Sequence, residues 1–292
     1  MRKPIPILYL FTILLVLFTL PGFSQKDTIT KTSDITPLNA FDFHSFTVGS
    51  GYSQFKIFDK KANQLIYKAN LVPVYFAYSK ESDNRIFNIN VNVKNGLIDK
   101  KNYDKSASNY TLLKEIQNQY TTNQTYNYLI QDEINVEYAR KLNGKKNQKV
   151  DFFVGGQLKQ YYSMSYANVP IFISSELSLN PMLLINYHID ETIKFKTLFS
   201  FSIASIITNL PYSAFSSDSE SNSLISKFLK ATNYTTINHY KRININPSFQ
   251  KQLSDRWHFG VDYIFSWSHY SHINNLSTYD NSIMIKFIKK IK

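Results

Sequence analysis

The chain has 292 residues, a formal net charge of +12, 43% hydrophobic and 15% aromatic residues, and no cysteine. Without cysteine there is no disulfide, no lipid-anchored N-terminal cysteine and no thiolate metal site. Only 8 glycines and 9 prolines exclude a low-complexity chain, and the modest hydrophobic fraction excludes a bundle of membrane helices.

The first stretch has the composition of an export signal. Arg2 and Lys3 give a charged start, Ile5 to Leu20 an apolar run, and Gly22-Phe23-Ser24 the small residues a signal peptidase needs. Cleavage is expected before Gln25. The expected organisation is a signal peptide at 1–24, a polar segment at 25–42 and a barrel at 43–292. The basic excess is spread through turns and strands. That argues against nucleic acid; in an exported protein, an anionic glycolipid surface or plain solubility accounts for it.

From residue 43 onward the chain reads as strands. The stretches near 43–57 and 65–79 are strand-like but change phase. Strict alternation follows, with Phe87, Ile89, Val91 and Val93 set between Asn88, Asn90, Asn92 and Lys94. Ile130, Ile134, Val136 and Tyr138 alternate with Gln131, Glu133, Asn135 and Glu137. Phe152, Val154 and Leu158 oppose Gly155, Gln157 and Lys159. Leu177, Leu179, Leu183, Ile185 and Tyr187 oppose Ser178, Asn180, Asn186 and His188. Ile193, Phe195, Phe199, Phe201, Ile203 and Ile207 oppose Lys194, Lys196, Ser200 and Ser202. Ile243, Ile245 and Phe249 oppose Arg242, Asn244, Asn246 and Gln250. Trp257, Phe259, Val261, Tyr263, Phe265 and Trp267 form the apolar side of the next strand, and Ile283, Ile285 and Phe287 close the chain.

About ten strands result, with twelve as the alternative. Connections alternate in length. Lys80–Asn84, Leu142–Gln148, Asp190–Thr192 and Leu253–Asp255 are short and polar, one of them holding the hairpin pair Asn143-Gly144. Residues 95–125 and 211–232 are expected as large loops, with 58–64, 163–172 and 271–277 of modest size. Short turns on one rim and long loops on the other are how transmembrane barrels are built. Several stretches also approach the roughly 9–11 residues a membrane strand needs rather than the roughly 5–6 typical of soluble sheets. The fold class expected is therefore all-β, an antiparallel transmembrane β-barrel with short periplasmic turns and long outer loops. Apolar residues then face lipid, and Trp257 and Trp267 mark the two interfaces. The competing reading is a soluble sandwich or lipocalin-like barrel with these aromatics in its core.

The ending "GFSQ" of the signal segment, "KVDFFVGGQLKQYYS" and "SLNPMLLINYHIDETIKFKTLFSFSIASIITNLPYS" carry a resemblance. In these pieces the chain resembles the small uncharacterised, porin-like outer-membrane β-barrels of Bacteroidota. The resemblance implies a barrel fold, outer-membrane location, and outer-membrane lipids and the barrel assembly machinery as partners. It brings no catalytic residues. Many such chains end in an aromatic residue; this one ends "IMIKFIKKIK", with Phe287 the nearest candidate.

Two constellations carry possible chemistry. His269-x-Ser271 is similar to the histidine and serine of outer-membrane lipid A deacylases, where histidine takes the hydroxyl proton and serine attacks an ester. Asp280 is the nearest acid, and His272 stands where those enzymes often have asparagine. The second is a lumen network of Glu133, Glu137, Lys159, Lys194, Lys196, Arg242, Arg256 and Asp262, with His258 beside it. A narrow barrel is filled by such side chains, so the expectation is an ion-paired plug, with a selective pore or a carboxylate site as the sharper alternatives. His239, His258, His269 and His272 match no zinc spacing, so neither metal nor cofactor is expected. Residues 111–119 and 222–230 are candidates for short helices, the latter with Leu224, Ile225, Phe228 and Leu229 on one face and Asp218 or Ser221 as cap, but the expected reading is a surface loop with incidental apolar residues. The leading function is non-enzymatic: a structural, binding or porin-like barrel.

Overall fold

The computed structural model describes residues 43–59, 66–98, 128–142, 149–166, 170–190, 192–211, 229–271 and 275–291. The chain divides into two units, Met1–Asn39 and Ala40–Lys292, and the described residues belong to the second. The signal segment, the polar segment 25–42, Asn143-Gly144, the candidate helix at 111–119 and most of the one at 222–230 lie outside the described residues. Leu229 and Lys230 of the latter are described and are helical.

The strands are β1 Phe43–Asp59, β2 Ile66–Glu81, β3 Arg85–Ile98, β4 Tyr128–Lys141, β5 Val150–Tyr166, β6 Pro170–His188, β7 Ile193–Phe201, β8 Ala204–Pro211, β9 Thr232–Thr236, β10 Tyr240–Gln252, β11 Trp257–Tyr270 and β12 Leu276–Ile291. Neighbours pair antiparallel in the order β1, β2, β3, β4, β5, β6, β7, β10, β11, β12, and β12 pairs with β1. The wall is a closed ring of ten strands. Closure leaves the ring without an edge, which is what hydrocarbon demands of every N–H and C=O.

β8 and β9 are extensions of this ring. The 19-residue β6 pairs with β7 over Met182–His188 and with β8 over Phe172–Leu179. β7 and β8 therefore form one long strand interrupted at Ser202-Ile203. There the Ser202 N–H donates to the Arg242 carbonyl at 3.0 Å and the Ile203 N–H to the Leu179 carbonyl at 3.1 Å. The interruption works as a bulge and shifts the inward set by one residue, from Ser200 and Ser202 to Ser205 and Ile207. Ile207 is consequently buried. The alternation alone groups it with outward Phe199; the bulge reverses that.

The wall is inside out relative to a soluble protein. Val48, Phe76, Ile134, Phe199 and Phe287 are exposed, while Ser53, Asn92, Gln131 and Asn180 are almost wholly buried. A soluble barrel would show the reverse. The arrangement is that of a transmembrane β-barrel. Most of these strands are longer than the roughly 9–11 residues that cross a bilayer, and the surplus explains the phase change in β1 and β2. The inward residues of β1 stay on odd positions throughout: Ser45, Thr47 and Ser53, then Phe55 and Ile57. The outward ones run Phe46, Val48, Tyr52, then Gln54 and Lys56. Parity is constant; what changes is the solvent outside, from acyl chain to water.

The connections 82–84, 142–149, 189–192 and 253–256 form a turn rim. The strand ends joined by 60–65, 99–127, 167–169, 212–231 and 271–275, which include both long connections, lie at the opposite rim, the loop rim. The β5–β6 connection is three residues, shorter than the expected 163–172, because both strands run on to Tyr166 and from Pro170. In the turn before β7, Asp190 accepts bonds from the Thr192 hydroxyl (2.8 Å) and from the N–H groups of Thr192 and Ile193 (both 2.7 Å). These bonds, the Thr192 hydroxyl first, hold its carboxyl below the usual carboxylate range.

Gly155 faces the lumen where β4 and β5 approach closely. A Cβ there would lie 1.8 Å from the Tyr138 carbonyl oxygen, whereas one on Gly156 would meet the Asn180 carbonyl oxygen at 3.9 Å. Gly155→Ala is expected to destabilise the folded barrel by roughly 2–3 kcal/mol, with Gly156→Ala close to neutral. Urea unfolding in lipid vesicles, followed by tryptophan fluorescence, checks the pair.

Candidate functional site

The lumen side chains form tiers. At the turn rim Glu81, the last residue of β2, reaches across to Lys194 at 2.9 Å and Lys196 at 3.5 Å on β7. Beside them Asp151 pairs with Lys141 at 2.7 Å and contacts His188 at 3.4 Å. Further along, on β3 to β7, Ile86, Ala139, Phe153, Met182, Leu184 and Leu198 pack into an apolar cluster on one side of the lumen.

Next comes a hydrogen-bonded girdle. Glu137 accepts from Asn88 (3.0 Å), Asn90 (3.5 Å) and Gln157 (2.9 Å). The Gln157 carbonyl accepts from Asn180 at 3.0 Å and Ser200 at 3.1 Å, and Ser200 accepts from Asn244 at 3.1 Å. On the other side Ser248 donates to Asp262 at 2.6 Å, Lys286 pairs with Asp262, and the Lys286 ammonium lies 3.6 Å from the Tyr75 ring centroid. Alternation is the cause. Polar residues at every second position of neighbouring strands arrive side by side, within hydrogen-bonding reach of one another.

The loop-ward tier is ionic. Lys159 pairs with Glu133 at 2.8 Å, and Lys94 pairs with Asp280, which also accepts from Ser53 at 2.7 Å and Ser282 at 3.0 Å. Arg242 pairs with Glu176 at 3.0 Å and lies 4.7 Å from the Tyr161 ring centroid. Tyr240 donates to Glu176 at 2.5 Å and accepts from Arg242 Nε at 2.8 Å. A cavity of about 30 Å³ lies among Tyr161, Glu176, Tyr240, Arg242 and Tyr270. Glu176 Oε1 and the Tyr270 hydroxyl have no partner among the described residues. The volume suits a water or two bridging them. Towards the loop ends of β1, β2 and β4, Phe55, Ile57, Ala69, Leu71 and Leu129 form a second apolar cluster.

Glu133, Glu137, Lys159, Lys194, Lys196, Arg242 and Asp262 therefore all project inward. Arg256 does not. It is exposed in the turn before β11, and its carbonyl accepts from the Lys290 N–H at 2.8 Å. Alternation runs only inside a strand, and Arg256 precedes the strand's first residue, Trp257. Sequence reasoning missed Glu81, Glu176, Asp280 and Lys286 as lumen residues. With Ile283, Ile285 and Phe287 outward at odd positions, the even positions Asp280 and Lys286 fall inward; Glu176 needed the longer β6.

At the loop rim, His269 faces outward, stacked on Trp267 with ring planes 5° apart, and its Nδ1 lies 2.9 Å from the Ser277 hydroxyl. The Ser271 hydroxyl donates to the His239 carbonyl at 3.2 Å. Asp280 is inside the barrel, held by Lys94. The three side chains are thus engaged with other partners; His272 lies outside the described residues.

No family model matches the chain, and no curated protein does. Among solved structures it is similar to the Pseudomonas putida toluene transporter TodX, at 5% identity and a TM-score of 0.31, covering 85% of this chain and 89% of that one. It is similar to Neisserial surface protein A at 8% and 0.30, covering 82% and 95%. For Ail, the attachment invasion locus protein of Yersinia pestis, the values are 8% and 0.26, covering 85% and 99%.

Removing one member of a buried pair strands the other charge. Glu176→Leu is expected to cost about 3–5 kcal/mol, and Glu176→Leu combined with Arg242→Met to recover most of that loss. The same unfolding measurement on the single and double variants checks this.

Proposed function

We propose that the protein is an outer-membrane β-barrel with a sealed lumen, acting in a structural or binding role through its wall and outer loops rather than as an open pore. Exported chains with this inside-out wall insert into the outer membrane with turns in the periplasm and loops outside. That topology puts Phe43 at the start of β1, Ile291 at the end of β12 and the Glu81–Lys194–Lys196 tier on the periplasmic side. The single observation that carries the reading is how fully side chains fill the lumen. Two apolar clusters, an amide network and buried ion pairs occupy it, with inward residues such as Ser53, Leu71, Gln131 and Asn180 at 0–1% exposure. Solutes pass an open pore through water; here ions would have to displace buried ion pairs and closely packed side chains.

The rim pair His269 and Ser271 supports no hydrolytic reading of its own, since the ring nitrogen meets Ser277 and the hydroxyl meets a carbonyl.

Purified protein folded in detergent and added to planar bilayers is expected to give no stepwise conductance; regular channel steps overturn the sealed reading. In membrane fractions the unboiled protein should migrate apart from the boiled one, in the outer-membrane fraction. Ser271→Ala is expected to leave lipid A and phospholipid turnover unchanged, read by mass spectrometry of extracted lipids.

A further inference from the structure

The outward faces of β10, β11, β12, β1 and β2 carry no carboxylate among the described residues. Their charges are all basic and sit towards the strand ends: Lys56, Lys68 and Lys241 towards the loop rim, Lys80, Lys251 and Lys289 towards the turn rim. Between them lie exposed Phe46, Val48, Val74, Phe76, Ile283, Ile285 and Phe287.

The loop-ward end of β12–β1–β2 is layered by register. Exposed Tyr52, Val72 and Ile283 end the apolar band. One step outward, Gln54 is paired with Asn70 on one side and Asn281 on the other. The Tyr52 hydroxyl donates to the Asn70 carbonyl oxygen at 2.6 Å and the Tyr263 hydroxyl to that of Asn281 at 2.8 Å. Those two amide oxygens are thereby occupied, leaving their NH₂ groups as donors. One step further, Lys56 is paired directly with Lys68 on one side and exposed Tyr279 on the other.

Two lysines directly opposite on one face of a sheet repel each other. Neither forms an ion pair with another described residue. A row of amide donors beneath two such ammonium groups, at the upper margin of an acyl-facing band, is complementary to an anion held at headgroup height.

We propose that this patch binds a phosphate of an outer-leaflet glycolipid. The phosphate sits between the Lys56 and Lys68 ammonium groups, the Asn70 and Asn281 amides donate from below, and the acyl chains run down over Tyr52, Val72 and Ile283. The bound anion offsets the repulsion between the lysines, so the lipid and the β1–β2 pairing stabilise each other. The inference rests on the outer-membrane reading above, and its test is kept separate by using purified protein in detergent.

The experiment is native mass spectrometry of the folded barrel with lipid A bearing both phosphates, the same lipid after phosphatase treatment, phosphatidylglycerol, and inorganic phosphate. The expected result is retention of the phosphorylated glycolipid about tenfold above its dephosphorylated form. Lys56→Gln with Lys68→Gln removes that preference, and Lys251→Gln at the other rim keeps it. Equal binding of the two glycolipid forms by the unaltered protein overturns the proposal, whether or not the double variant folds. So does undiminished discrimination by a double variant whose heat-shifted gel band shows it folded. Preference for phosphatidylglycerol, or retention of inorganic phosphate alone, overturns the choice of glycolipid. A barrel that folds, sits in the outer membrane and ignores phosphate removes the site and leaves the location standing.

Discussion

Hydrocarbon offers no hydrogen bonds, and most of this structure follows from that. Each strand must find a partner on both sides, so the sheet closes, with β12 returning to β1. Closure fixes two surfaces, one on acyl chains and one around a narrow axis. With a side-chain period of two, each strand supplies both surfaces from alternate residues. The polar half is driven inward because lipid accepts it at greater cost than the lumen does. The lumen tiers and the exposed aromatics of Val48–Phe76 height share this single cause.

Packing polar groups into so narrow a space requires mutual satisfaction. Lys159 with Glu133, Arg242 with Glu176, Lys94 with Asp280 and Lys286 with Asp262 each place a cation on its own carboxylate. Glu137 is served instead by three amides. Replacing such pairs by apolar residues is often neutral in stability, so their worth lies as much in specifying register as in holding the fold. If β5 slipped by one residue, Lys159 would turn towards lipid and leave Glu133 on β4 unpaired in the lumen. The bulge at Ser202-Ile203 shows how register is managed locally: it turns Ile207 inward beside Tyr240 and Tyr270, where it helps close the loop-ward end.

Much of this was legible in the sequence, because alternation is a local property. The ring of ten, the sides of Phe199, Asn90 and Glu137, and the inward lysines of β7 follow from counting by twos. Three features were not legible. The phase change in β1 and β2 is invisible as such, since Phe55 and Lys56 obey the same parity as Ser45 and Phe46 under a different outer solvent. The bulge breaks counting within β7 and β8, so Ile207 reads as outward. Pairings across the lumen, Lys94 with Asp280 and Glu81 with Lys194, join strands that are not neighbours and depend on how the ring closes. Arg256 failed for a simpler reason, lying one residue outside its strand.

The central claim is that the apolar half of each strand touches acyl chains. It is tested most directly by placing a nitroxide singly at positions 194–201 of β7 in protein folded into vesicles. Collisions with dissolved oxygen and with a water-soluble nickel chelate are then measured at each position. Phe195, Phe199 and Phe201 should respond strongly to oxygen and hardly to nickel, with Lys194, Lys196, Leu198 and Ser200 nearly silent to both. A strong nickel response at Phe199 and Phe201, or equal responses at odd and even positions, would contradict the account.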